Sequence, residues 1–113
     1  MAPSGPSPFA VVVSLDDLDP GAVLVTASGE IDVATAPRVQ AAILAQLDGR
    51  PVDVVVDLSA VSFLDSSGIS ALIRARRRVG EVGGTLRLRN PQPKVRRVLQ
   101  ITGVEQAFVI ETG

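Results

Sequence analysis

The sequence predicts an α/β fold: a single domain with a mixed, mostly parallel β-sheet and helices packed on it. Three observations carry that expectation. The segment Val52–Leu58 is an apolar run of Val52, Val54, Val55, Val56 and Leu58 with an interruption at Asp53, the pattern of a strand covered on both faces inside a parallel sheet. A short link, Ser59–Asp65, leads into Ile69, Leu72 and Ile73, whose i, i+3, i+4 spacing marks an amphipathic helix. Helices also separate the later strands from one another, which calls for parallel pairing through right-handed crossovers.

Taken in order, residues 1–8 (MAPSGPSP) are rich in Pro, Ser and Gly and are expected to form a disordered tail, leaving 9–113 as the domain. Phe9–Leu15 and Ala22–Ser28 read as strands joined by the turn Asp16–Gly21, so they should pair as a hairpin. The aspartates of that turn suit local backbone bonding. Gly29–Asp32 is a polar break around the single apolar residue Ile31. Thr35 is the expected N-cap of a helix over Ala36–Leu47, with Pro37 in its first turn and Val39, Ala42, Ile43 and Leu47 on one face. The helix that begins near Ser66 should stop before Gly83-Gly84. Thr85–Arg89 (TLRLR) alternates and reads as a strand with one solvated face. Pro91 opens a last helix with Val95, Val98, Leu99 and Ile101 inward, and Ala107–Ile110 forms a short final strand or a packed tail.

Composition excludes several functions. With 113 residues the chain can bury a real core, and with 46% apolar residues but few aromatics that core is Val, Leu, Ile and Ala. The net charge of −1 gives no electrostatic case for nucleic acid. Arg74, Arg76, Arg77 and Arg78 therefore read as a solvated helix face. No apolar run approaches the roughly 20 residues that span a bilayer, and the first residues lack a signal-peptide layout. The absence of cysteine suits a reducing cytosol, so a cytoplasmic protein is expected. Without His or Cys there is no base for a serine nucleophile and no metal site short of a carboxylate cluster. Lys94, the one lysine, is not placed beside Ser66 by any pattern. No glycine-rich phosphate loop occurs either. An enzyme is not expected, nor a cofactor or metal.

Asp65-Ser66-Ser67-Gly68 is the densest polar motif, and it admits two readings. As a helix start, Asp and Ser are preferred caps worth about 1 kcal/mol each. As a modification site, a phosphorylated hydroxyl would add about −1.5 to −2 charge beside Asp65, where a helix N-terminus could stabilise it. A surface that docks a partner without that phosphate would then reject it. The two readings are compatible.

The stretch Val56–Ile69 (VDLSAVSFLDSSGI) closely resembles the signature of the STAS domain, in particular the bacterial anti-sigma factor antagonists. Gly29-Glu30-Ile31-Asp32 resembles a second landmark of the family, and Arg97–Val104 its last helix. The resemblance implies a partner switch that regulates transcription. The unphosphorylated antagonist binds an anti-sigma factor that is also a serine kinase, and a sigma factor is released. The kinase, with its own Mg-ATP, then phosphorylates Ser66, and a PP2C-type phosphatase resets it. By the same resemblance Asp65 orients the link and engages the partner, while Ser67 and Gly68 give backbone contacts and close approach. Glu30 and Asp32 lie on the same rim, either contacting the kinase or remaining solvated loop carboxylates. STAS-like domains also serve as unphosphorylated scaffolds in signalling complexes and as accessory subunits of membrane transporters, which is the alternative expectation.

Overall fold

The computed structural model describes residues 8–112; the tail expected over 1–8 lies outside them except for Pro8. Strand β1 (Ala10–Leu15) pairs antiparallel with β2 (Ala22–Ile31), and β3 (Asp53–Leu64), β4 (Leu86–Arg89) and β5 (Val109–Glu111) follow in parallel. The five-stranded sheet has the order β1-β2-β3-β4-β5. Helices α1 (Ala36–Leu44), α2 (Ser66–Glu81) and α3 (Pro93–Ile101) form the crossovers. The expected mixed, mostly parallel sheet is what the chain forms. None of its described helices is long and apolar enough to cross a membrane.

Two segments expected to be irregular are strand. Residues 59–64 continue β3 and residues 29–31 continue β2, because they pair with each other: Ser28 faces Ala60, Gly29 faces Val61, Glu30 faces Phe63 and Ile31 faces Leu64. Register shifts after Thr26 and Gly29 absorb the mismatch in length, and Gly29 takes φ +91° at the second. The polar letters hid this extension, since its strand signal lies in the partner and not in local composition. Only Asp65 is left to turn the chain from β3 into α2.

The helices differ in smaller ways. Helix α1 stops at Leu44 instead of Leu47, as the chain tightens into i→i+3 bonds from Gln46 to Ile43 and from Leu47 to Leu44. Thr35 holds the N-cap position, but its side chain makes no capping hydrogen bond to the helix. Instead Asp32 and Thr35 bond reciprocally: Asp32 Oδ1 accepts from the Thr35 amide at 3.1 Å, and Thr35 Oγ1 accepts from the Asp32 amide at 2.9 Å, a capping box one turn earlier. In α3, Val95 and Leu99 are buried but Ile101 is 73% exposed. Six positions turn a helix through about 240° from Val95, which puts Ile101 on the far side.

Core residues of the sheet, among them Val25, Val54, Val56, Leu58 and Leu88, pack with Val39 and Ile43 of α1 and with Ile69, Leu72 and Val79 of α2. The seat of α2 is tight at its start. A β-carbon at Gly68 would collide with Leu64 Cδ1 and come within 2.8 Å of Ile31 Cγ2.

The opposite row of the sheet holds Leu24, Val55 and Arg87, then Thr26, Asp57 and Arg89. It is not solvated as the alternation of β4 suggests. Arg89, its side chain 5% exposed, makes two hydrogen bonds of 2.9 and 2.8 Å to the Asp16 carboxylate, itself 2% exposed. Glu111 accepts from Arg89 at 2.7 Å and from Arg87 at 3.3 Å, and Arg87 also pairs with Asp19. Asp16 and Asp19 thus tie the hairpin turn to β4 and β5, a role that turn composition conceals. The hydrogen bond from Arg89 holds the Asp16 carboxyl below its ordinary value of 3.8, and Asp16 holds the guanidinium above its own.

Two outcomes test this account. Gly68→Ala should cost about 1–3 kcal/mol in urea unfolding, because Ile31 and Leu64 are buried and cannot withdraw freely; an unchanged midpoint would show slack in the seat. Asp16→Asn should lower the urea midpoint at pH 7 by leaving the buried Arg89 with Glu111 as its one remaining carboxylate among the described residues. The Asp16 pKa is depressed on folding, so its contribution is full above 3.8 and lost as pH falls through the lower folded value. The gap between wild type and variant should therefore close in acid, and a gap that persists there would contradict the pairing.

Candidate functional site

The paired ends of β2 and β3 and the first turn of α2 meet at one end of the sheet. Asp65 is the hinge of this corner. Its backbone is extended (φ −111°, ψ −170°), and its Oδ1 accepts from the amides of Ser67 at 2.9 Å and Gly68 at 3.2 Å, so the side chain caps α2. Its own amide donates to the Ile31 carbonyl at 3.3 Å, tying the cap to the end of β2. The next residue, Ser66, is the first of the helix and is exposed. Ser67 is half-buried and Gly68 buried.

Ser66 opens onto a groove of 310 Å³ between α1 and α2. Val33, Pro37 and Gln40 line one side of it, and Ser66, Ser70 and Arg74 the other. Val33 is 75% exposed, an apolar side chain presented beside the serine. The sequence pattern missed Val33, which sits between the polar break Gly29–Asp32 and the expected N-cap Thr35. It also assigned Arg74 only to a solvated face. The usable signal was the i, i+4, i+8 spacing of Ser66, Ser70 and Arg74.

Glu30 and Asp32 reach the same corner but differ in state. Asp32 is committed to the chain: its Oδ1 accepts from the amides of Ala34 and Thr35 at 2.9 and 3.1 Å and from the Thr35 hydroxyl at 3.2 Å. These bonds occupy one oxygen, Oδ1, of a half-buried carboxylate. Glu30 is half-buried within β2 opposite Phe63, and its carboxylate bonds to none of the described residues. Pleat alternation sets Glu30 and Phe63 on the face away from Ile31 and Leu64.

Lys94 lies in a different groove, with Phe63, Val95 and Val98. No three carboxylates among the described residues are grouped to hold a metal. What remains is an accessible hydroxyl, held by a cap, at the mouth of a groove.

Known proteins share the sequence pattern and the fold of this chain. The STAS domain profile matches residues 16–112. The anti-sigma-B factor antagonist of Bacillus subtilis is 32% identical over 88 residues, which is 78% of this chain and 80% of that protein. The crystal structure of an anti-sigma factor antagonist from Mycobacterium paratuberculosis superposes with a TM-score of 0.78 at 34% identity, covering 92% of this chain and 86% of that one. The anti-sigma factor antagonist SpoIIAA in its unphosphorylated form gives a TM-score of 0.70 at 26% identity, over 88% of this chain and 87% of that one. The phosphorylated form of Bacillus SpoIIAA gives 0.63 at 25% identity, over 88% and 90%. The similarity runs from the hairpin turn to the last strand, and the chain belongs to the STAS domain family.

Proposed function

We propose that this chain is an anti-sigma factor antagonist that works in the cytoplasm by binding and not by catalysis. It docks on an anti-sigma factor that is a serine kinase, a sigma factor is released, and phosphorylation of Ser66 reverses the docking. The observation that carries this reading is the exposed Ser66 hydroxyl, set directly after the Asp65 cap and at the mouth of the α1–α2 groove. Relatives named anti-sigma factor antagonists, and SpoIIAA solved both with and without phosphate, support it.

The physics of the switch is local. Unmodified, the corner presents a serine, the groove and exposed Val33 to the partner. Phosphorylation adds about −1.5 to −2 charge at pH 7 next to the Asp65 carboxylate. Docking would then bury a dense anionic spot, at the cost of its desolvation and against any acidic groups facing it. The kinase supplies the base and Mg-ATP that this chain lacks, and a PP2C-type phosphatase returns the surface to its binding form.

Incubated with its anti-sigma kinase and ATP, the chain should take up one phosphate. Ser66→Ala should abolish uptake and Ser67→Ala should leave it, as read by mass spectrometry. Label persisting in Ser66→Ala would move the site elsewhere. A bare wild-type chain that co-purifies with a transporter or signalling ATPase is instead what an unphosphorylated scaffold predicts.

A further inference from the structure

A phosphate on Ser66 needs a positive partner, and the obvious one is already spent. The amides of Ser67 and Gly68 bond to Asp65 Oδ1, and the Ile69 amide bonds to the Asp65 carbonyl. The first turn therefore offers a phosphate little beyond the Ser66 amide, with a carboxylate one residue away. The counter-charge has to come from a side chain.

Arg74 is the charged residue lining the groove into which Ser66 opens. It is exposed and has no hydrogen bond or ion pair with the described residues. Of the other arginines of α2, Arg76 stands 5.7 Å over the Phe108 ring and Arg78 pairs with Glu81 at 3.4 Å, while Arg77 is exposed but lies outside this groove. Ser66, Ser70 and Arg74 follow one ridge of α2, with Ser66 and Arg74 about 12 Å apart along the axis. An extended Arg74 side chain, leaning toward the helix N-terminus, would reach back along the groove to the level of Ser70. Its planar fork of donors matches the oxygens of a phosphate monoester.

We propose that Arg74, with the Ser70 hydroxyl beside it, forms a subsite in the α1–α2 groove that holds the phosphate of modified Ser66. The inference rests on Ser66 being the modified residue. It adds occlusion to repulsion. A phosphate drawn toward Arg74 fills the space between Val33, Pro37 and α2 that the unmodified surface offers to a partner.

The test needs no kinase. Phosphoserine installed at position 66 of the full chain by ligation or amber suppression can be titrated by phosphorus NMR. The second phosphate pKa, about 6 when unperturbed, should lie about 0.5 lower in the otherwise wild-type chain than in Arg74→Gln. Arg74→Lys should fall between them, and Arg78→Gln should titrate like wild type. Superimposable curves for wild type and Arg74→Gln would overturn the subsite. If the shift is present but no kinase labels Ser66, the subsite stands and the switch falls; if labelling occurs without the shift, the reverse holds.

Discussion

The first turn of α2 rests directly on the ends of β2 and β3 because residue 68 has no side chain, leaving Ile31 and Leu64 to fill the space a β-carbon would need. That contact fixes the rest of the corner. It brings Asp65 close enough to donate its amide to the Ile31 carbonyl while its carboxylate caps the helix. With the cap fixed, Ser66 stands exposed at the first position of the helix and at the mouth of the α1–α2 groove. A hydroxyl that must be recognised by another protein benefits from such rigidity, since docking then costs little ordering entropy.

Charge is divided between two places with different tasks. On the helix-free row of the sheet, Arg87 and Arg89 are consumed by Asp16, Asp19 and Glu111, and this cluster joins the hairpin turn to the far strands. It serves the fold. Around Ser66 the balance is left open: Asp65 carries a negative charge beside the hydroxyl, and Arg74, with no ion pair among the described residues, lies two turns along the helix. An unpaired cation on a groove wall contributes little to stability. Its value arises when an anion appears nearby, which is the event that phosphorylation supplies.

Much of this was legible in the sequence. The buried strand at Val52–Leu58, the amphipathic period of α2 and the hairpin followed from local patterns, and the long motif Val56–Ile69 identified the family. What local patterns missed depended on distant residues. Residues 59–64 look like a link until paired with 28–31. Arg87 and Arg89 look solvated until Asp16 and Glu111 arrive from either end of the chain. The bonds that Asp32 and Thr35 exchange were not visible in the composition of the Gly29–Asp32 break. In each case the deciding partner was a backbone segment or a counter-charge that spacing alone does not reveal.

The central claim is that charge at Ser66, and not a change of fold, decides whether the partner stays bound. The most direct measurement is the affinity of the anti-sigma factor for the unmodified chain and for the chain carrying phosphoserine at 66, with thermal unfolding recorded for both. The account predicts at least a tenfold weaker complex, about 1.4 kcal/mol, with both chains equally folded. Equal affinity for the two forms, or weakening that appears only because the phosphorylated chain unfolds, would contradict it.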